Sequence, residues 1–241
     1  MLPALCHLVV LTFLLWPALI PQARKTLRVR LNDSSDWWSI LNEKAAEEFG
    51  DPQHREVSTS NFEILGVALG EGQFEIAAAK LGKAAIVERG DAASARSQAC
   101  YVSGDGPRAV HLIFEQGEVD YSFYLFEGGA TWTGSEHCVK SNLILPGIKT
   151  SGGLGLGQSQ SQVEAILGMP SGRRNDKLAY NLETKASLSA EELRKFRESF
   201  PNLSEKEVRD RVDNFYLSVY IEARFIDSKL NYLVVSKSEV D

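Results

Sequence analysis

Histidine is the residue that most often performs acid–base catalysis near neutral pH, and this chain contains few histidines. Three of them follow the apolar N-terminal segment: His54, His111 and His137. His54 lies in a polar stretch, which predicts a solvent-exposed loop position. His111 alternates with apolar neighbours, which is typical of a residue on the face of a β-strand. A small hydrolase-like enzyme that uses His111 or His137 in a cleft between two units is therefore the alternative function.

Two motifs that could support other chemistry are incomplete. The glycine-rich segment 152–157 has neither the spacing of a dinucleotide-binding fingerprint nor the Lys-Ser/Thr pair of a phosphate-binding loop. No Gly-x-Ser-x-Gly sequence, which would indicate a nucleophilic serine, occurs in the chain. A metal cluster of Glu136, His137 and His111 would require a fold that brings the three together. We therefore predict a protein that is not an enzyme and has no cofactor or metal site.

The cysteines favour an oxidising compartment. Cys6 lies in the apolar N-terminal segment, so a cleaved chain would retain only Cys100 and Cys138. An even number of cysteines in an exported protein predicts a disulfide, which here would close a loop of about 40 residues. Two buried free thiols are the alternative interpretation. The spacing excludes a catalytic Cys-x-x-Cys motif.

Residues 1–23 have the composition of an export signal. Residues 1–20 contain no Asp, Glu, Lys or Arg, and their apolar core is shorter than the roughly 20 residues of a spanning helix. Ala23 provides a small residue for cleavage. Basic residues follow this core, and under the positive-inside rule they oppose export, so an uncleaved anchor and a mis-assigned start codon are the alternatives. These basic residues are Arg24, Lys25, Arg28 and Arg30.

Composition limits the classes of partner. The formal net charge of −6 argues against a nucleic-acid-binding surface, which carries an excess of Lys and Arg. A hydrophobic fraction of 44% is ordinary for a globular protein and too high for intrinsic disorder. We predict a secreted or periplasmic protein that binds an unidentified protein partner and no nucleic acid. It would have no stable membrane span once the signal is removed.

Apolar spacing predicts a short helix in each half of the chain. In the first half, apolar residues recur at helical spacing up to Leu81, and Gly82 ends the segment. In the second half, a capping box formed by Ser159 and Gln162 precedes the apolar residues, and Gly168 ends the segment. The apolar residues of the two helices are Phe74, Ala78, Leu81, Val163, Ile166 and Leu167.

Period-two alternation follows each of these helices and predicts antiparallel strands. The predicted strands cover 99–103, 110–115, 119–125, 178–182, 216–225 and 230–235, with a further short strand near Cys138. Segments 114–119 and 225–230 each place Phe before a turn, so the same hairpin pattern occurs twice. The repeating unit is therefore a short helix followed by an antiparallel meander.

The second unit contains an insertion over residues 189–214. Ser189 with Glu192 and Ser204 with Glu207 form two capping boxes, each followed by a narrow apolar stripe. The opposite faces are rich in charged residues. We interpret this segment as a pair of amphipathic helices that pack on the sheet. A docking surface for another protein is the alternative.

These glycine, capping and hairpin motifs resemble those of the tandem β-lactamase-inhibitory-protein type. They also resemble the small outer-membrane-assembly lipoproteins, which contain one copy of the unit. Segments 153–170 and 225–235 with Tyr180 form the better match, and segments 66–82 and 114–125 with Tyr101 form the fainter one. The resemblance implies a non-catalytic protein that binds other proteins outside the cytoplasm. Its motifs are structural and transfer no contact residues, and the lipid-anchoring cysteine has no counterpart here.

We predict an α+β fold of two tandem units, each a short helix plus an antiparallel β-meander, with the helical pair inserted in the second. The domain boundaries are 1–23 for the export signal, 24–60 for an N-terminal helix over 35–49 and its linker, 61–147 for the first unit and 148–241 for the second.

Alternation also predicts a contact surface. One sheet face carries Val110, Leu112, Phe114, Leu217, Val219, Ile221 and Phe225, and short helices should cover it. The opposite face carries His111, Tyr124, Tyr216, Tyr220, Glu222 and Arg224. Tyrosine and arginine are common in protein-recognition hot spots, so Tyr124, Trp132, Tyr220 and Arg224 are the candidate partner contacts. The alternative is that the helical insertion buries these tyrosines as core.

Overall fold

The computed structural model describes residues 53–89, 95–104, 108–128, 137–185, 190–213 and 216–240. The predictions for the export signal, for the helix over 35–49 and for Trp132 lie outside these residues. Within them the protein is α+β and strands predominate, which confirms the fold class in its coarse form.

Four α-helices and twelve strands lie in the described part of the chain. The helices are α1 (Gln73–Leu81), α2 (Gln160–Leu167), α3 (Ala190–Ser199) and α4 (Glu205–Asp213). The strands are β1 (Gln53–His54), β2 (Glu63–Ile64), β3 (Val67–Ala68), β4 (Ile86–Arg89), β5 (Arg96–Val102), β6 (Val110–Gln116), β7 (Asp120–Glu127), β8 (Val139–Lys140), β9 (Gly172–Arg174), β10 (Lys177–Lys185), β11 (Tyr216–Ile226) and β12 (Lys229–Val240).

One large sheet contains all strands except β2 and β3, which pair with each other. Its order is β1-β10-β11-β12-β7-β6-β5-β4, with β8 beside β5 and β9 beside β10. Strands β5, β6 and β7 form one antiparallel meander, and β10, β11 and β12 form another. The last strands of the two meanders, β7 and β12, pair antiparallel, so the meanders share one continuous sheet. Each meander follows a short helix in the chain.

The predicted helix signals are present at the helix ends. Ser159 and Gln162 form the reciprocal capping box of α2, and Gly168 ends that helix at a φ of 77°. Gly82 ends α1 and donates its backbone N–H to the carbonyl of Ala78. The insertion folds as α3 and α4. Its second capping box is present because Ser204 and Glu207 exchange hydrogen bonds, whereas Ser189 lies outside the described residues.

The apolar core lies on one face of the sheet, which we call the core face. Alternate residues of both meanders meet there, and α1 and α2 cover them with Ala77, Leu81, Val163 and Leu167. This confirms the predicted face assignment, since the residues listed for it belong to this cluster or pack against it. They are Val110, Leu112, Phe114, Leu217, Val219, Ile221 and Phe225.

The glycine-rich segment before α2 permits close packing. A Cβ atom added to Gly155 would lie 2.5 Å from the backbone oxygen of Ile148. One added to Gly152 would lie 2.0 Å from Oδ1 of Asn61. Any larger residue would displace these neighbours, which explains the glycines without a phosphate ligand.

The two hairpins differ at their turns. Strands β6 and β7 are joined by residues 117–119, whereas β11 and β12 are joined by only Asp227 and Ser228. Both of these residues have a positive φ, at 50° and 62°, as a two-residue type I′ hairpin requires. Phe114 and Phe225 are both buried in the core, so the shared position before the turn is retained even though the turn lengths differ.

Candidate functional site

The opposite face of the sheet, which we call the polar face, carries three rows of residues in direct cross-strand register. The first row is Val102, His111, Phe126, Tyr232, Arg224 and Lys177. The second is Cys100, Ile113, Tyr124, Val234, Glu222 and Ala179. The third is Gln98, Glu115, Ser122, Ser236, Tyr220 and Asn181. Each row crosses the β7–β12 pairing, so both meanders contribute to this face.

The polar face is largely buried, so the prediction that Tyr124 is an exposed contact residue must be corrected. Tyr124 has a relative exposure of 0%, so it does not lie on an open surface as alternation had suggested. The prediction was wrong because alternation assigns a residue to a face without showing whether that face is covered. Of the four predicted contacts, Tyr220 and Arg224 are partly exposed, Tyr124 is buried, and Trp132 lies outside the described residues.

A carboxylate lies at the centre of the partly exposed region. We call Lys177, Tyr220, Glu222, Arg224 and Tyr232 the Glu222 cluster. Glu222 is fully buried, and its Oε2 accepts a hydrogen bond of 2.6 Å from the Tyr220 hydroxyl. Lys177 Nζ lies 3.4 Å from the same oxygen, and Arg224 Nε donates to Oε1. Three neighbouring donors therefore surround one carboxylate.

The charges of this cluster keep Glu222 ionised. Burial by itself would raise the pKa of Glu222, but the positive charges of Arg224 and Lys177 and two hydrogen bonds outweigh it, so the pKa lies below its usual value. Burial raises the pKa of the Tyr220 hydroxyl, and the negative charge of Glu222 raises it further. Tyr220 is therefore a hydrogen-bond donor and not a base at any physiological pH.

Four side chains of the first row, on four neighbouring strands, contact one another through aromatic rings. The His111 ring stacks on Phe126 with centroids 5.0 Å apart, and Phe126 lies 6.0 Å from Tyr232. The guanidinium carbon of Arg224 lies 5.1 Å from the centroid of the Tyr232 ring. These contacts restrict the rotamers of the row and orient Arg224.

A second buried carboxylate lies in the first meander. Glu115 Oε1 accepts a hydrogen bond of 3.0 Å from the Tyr124 hydroxyl, and its other oxygen accepts one from the Gln98 amide. The Glu115 backbone carbonyl accepts a 2.8 Å hydrogen bond from Gln73 Nε2 of α1. Between the meanders, Ser122 donates to Ser236 at 3.0 Å. Polar contacts therefore extend from one meander to the other.

The histidines lie in different parts of the described fold. His54 is in β1 at one end of the sheet, where it pairs with Glu183 at 3.2 Å. His111 is in β6, where burial lowers its pKa to about 4 against a weaker opposing hydrogen bond to Ala109. It is neutral at pH 7 and a weak base. His137 is exposed and precedes β8. The described residues contain no group of three or more His, Cys, Asp or Glu that could hold a metal ion.

The predicted cysteine pair is confirmed in its geometry. Cys100 of β5 and Cys138 are bonded with their Cα atoms 4.4 Å apart, within the separation that a disulfide requires. Cys138 immediately precedes β8, which pairs with β5 through only two residues. The bond therefore attaches a short edge strand to the first meander. In the described part of the chain, none of the helices has the length and apolarity needed to cross a membrane.

Three members of the Glu222 cluster are predicted to share one sheet face, but their arrangement around the carboxylate is not predicted. Tyr220, Glu222 and Arg224 are spaced by two residues, which indicates a shared strand face. Lys177 and Tyr232 come from neighbouring strands, and only the register of β10, β11 and β12 places them beside the carboxylate. The run of alternating charged and aromatic residues in β11 was the available signal.

Comparison of the chain with protein-family models, with curated proteins and with solved structures finds no match in any of the three.

Proposed function

We propose that this chain is an exported, non-catalytic protein-binding module composed of two tandem helix-plus-meander units, similar in plan to the β-lactamase-inhibitory-protein type. Each meander follows a short helix, and the two meet at β7 and β12 in one sheet. The Cys100–Cys138 bond supports an extracytoplasmic location, because disulfides persist in oxidising compartments.

The observation that carries the proposal is the pair of partly exposed side chains on a rigid sheet. Tyr220 and Arg224 are both anchored to Glu222, so little conformational entropy would be lost when they contact a partner. Tyrosine and arginine are among the residues that contribute most to binding when they are centrally placed in an interface. A partner surface would therefore meet preorganised contacts.

The hydrolase alternative receives less support. His111 is buried with a pKa of about 4, and its ring is stacked against Phe126. A general base should have a pKa near the working pH and should reach its substrate. His54 lies on β1, and four strands separate β1 from β6 in the sheet, so it cannot assist His111.

The test uses the full chain, expressed in the cell that encodes it, with a photo-reactive phenylalanine analogue at position 220. The matched control places the same analogue at Phe200, an exposed aromatic residue at the end of α3. We expect the chain in the extracytoplasmic fraction with Cys100 and Cys138 resistant to alkylation. A discrete protein should crosslink to position 220 and not to position 200.

Two results would contradict this function. The first is a chain that stays in the cytoplasm with both thiols open to alkylation. The second is a set of crosslinks that is the same at both positions. Hydrolysis of an ester or peptide substrate that is lost in His111→Gln would favour the enzyme instead.

A further inference from the structure

The Arg224 guanidinium has two contacts within the protein and is otherwise partly exposed to solvent. Its Nε donates to Glu222, and its guanidinium carbon lies over the Tyr232 ring, 5.1 Å from the ring centroid. The side chain retains a relative exposure of 26%. Among the residues that the structure describes, none accepts a hydrogen bond from its two terminal nitrogens. The outer edge of the guanidinium is therefore directed away from its anchors.

This open edge has the geometry of a recognition group. The two terminal nitrogens of arginine present parallel N–H donors that match the two oxygens of a carboxylate. Arginine usually loses rotamer freedom when it binds, but here Glu222 and Tyr232 already restrict the side chain. Because the Nε side of the guanidinium lies against the buried Glu222, fewer water molecules compete with a ligand for hydrogen bonds to this group. These features strengthen a bidentate contact at the open side.

The surrounding charges favour an anionic partner. Arg224 pairs in register with Lys177, and Lys177 pairs with Arg174 of β9. With Glu222 and with Asp176, whose backbone carbonyl accepts a hydrogen bond from Phe225, these five residues carry three positive charges and two negative charges. The chain as a whole has a formal net charge of −6, so the net charge around Arg224 differs in sign from that of the whole protein. An acidic segment would be attracted to it.

The same charges favour a carboxylate over a phosphate. Glu222 lies on the far side of the guanidinium, and its repulsion of a dianion is larger than its repulsion of a monoanion. Phosphate sites also commonly use backbone N–H groups at a helix N-terminus or loop, whereas those of β11 at this position belong to the sheet ladder.

We propose that the two terminal nitrogens of Arg224 bind the carboxylate of an Asp or Glu side chain in an acidic segment of a protein partner. This inference rests on the proposed protein-binding function and names the chemistry of the contact. Lys177 and Arg174 contribute long-range attraction, and Glu222 with Tyr232 positions the arginine.

The probe is a hexaglutamate peptide with blocked ends, with hexaglutamine as the neutral control. Binding to the full oxidised chain is measured by fluorescence anisotropy at low and at physiological salt. Arg224→Lys retains the positive charge beside Glu222 but removes the fork. We expect it to weaken hexaglutamate binding at least about tenfold, which is the scale of a charge-assisted bidentate contact. Added salt should weaken the binding of the wild-type chain.

Arg211→Lys is the matched control variant. Arg211 also lies over an aromatic ring, that of Phe200 at 5.5 Å, but on the exposed helix α4. Its replacement should leave hexaglutamate binding unchanged. A second measurement needs no variant: the Nε–H resonance of Arg224 in the wild-type chain should shift when the peptide is added and not when hexaglutamine is added.

The results separate this inference from the proposed function. Equal hexaglutamate binding by the wild-type chain and Arg224→Lys, with no shift of the Arg224 resonance, overturns the carboxylate contact. Displacement of the peptide by inorganic phosphate, but not by acetate at the same concentration, also overturns it and assigns the site to phosphate. A protein that crosslinks at position 220 would leave the binding function standing in either case.

Discussion

Both faces of the sheet are largely buried, but they are stabilised in different ways. Phe123 and Tyr124 are neighbours in β7, they point to opposite faces, and each has a relative exposure of 0%. Phe123 packs in the apolar core cluster under the helices, whereas the Tyr124 hydroxyl donates to Glu115. The free energy gained by apolar packing depends on the buried area and on shape, and it does not require a particular orientation of the groups. A buried polar group must find a partner in a definite geometry.

This difference shows what each face can contribute. The core face holds the two meanders and the helices together, because α1, α2 and both halves of the sheet meet in one cluster. The polar face contains two carboxylates whose neighbours are fixed by register across strands. Side chains anchored in this way are preorganised, so the partly exposed part of the polar face is suited to recognition.

The largest expected effect lies on the core face. Phe123→Ala removes a fully buried ring and leaves a cavity, so the free energy of unfolding should fall by about 3–5 kcal/mol. Chemical denaturation measures this loss, and Val119→Ala serves as the control because Val119 is half exposed at the β6–β7 turn. A loss below about 1 kcal/mol would show that this face is not the main apolar core.

A pH-dependent loss should follow from His111 on the polar face. Its folded pKa of about 4 lies below the usual unfolded value of about 6.5. The unfolded chain therefore takes up a proton between these values while the folded chain does not, so stability falls as the pH drops from about 6.5 to 4. The shift corresponds to about 3 kcal/mol at pH 4.

His111→Gln should remove this part of the pH dependence while keeping a side-chain donor near Ala109. The free energy of unfolding is measured at several pH values between 4 and 7. His54→Gln is the control, because the His54 side chain is exposed on β1. An unchanged pH dependence in His111→Gln would mean that His111 is not buried in its neutral form.

The smallest of the three effects concerns the Tyr124 hydroxyl. Tyr124→Phe keeps the ring but removes one donor from Glu115, which should lower the free energy of unfolding by about 1–2 kcal/mol. The midpoint of urea unfolding measures the change. The control is Tyr101→Phe, because Tyr101 is a buried tyrosine of β5 on the core face. Were Tyr124→Phe neutral, the polar face would be held by packing alone, and the contrast between the two faces would weaken.

Much of the fold could be predicted because its signals are local. Alternation predicted β5, β6, β7, β10, β11 and β12, and the Ser159–Gln162 capping box predicted the start of α2. Cysteine count and spacing predicted the Cys100–Cys138 bond. The lengths of the two hairpin turns were less predictable, because the pattern of a Phe before the turn is shared by a three-residue and a two-residue connection.

The site was less predictable than the strands that carry it. Tyr220 and Arg224 are predicted contacts that the structure leaves partly exposed, whereas Tyr124 is fully buried. The sequence did not predict that Lys177 and Tyr232 belong to the Glu222 cluster, because their proximity to Glu222 depends on cross-strand register. Register is set by the pairing of whole strands, which no short motif encodes.

Local sequence patterns predict which side of each strand a residue occupies, where the short helices begin and end, and which cysteines can pair. These features depend on backbone periodicity and on neighbours within a few residues. Three features follow from the folded chain alone: β7 and β12 join the two meanders, the polar face is buried around Glu115 and Glu222, and Arg224 keeps a partly exposed edge. The physical reason is that burial and charge pairing depend on residues far apart in the chain, and folding alone brings them together.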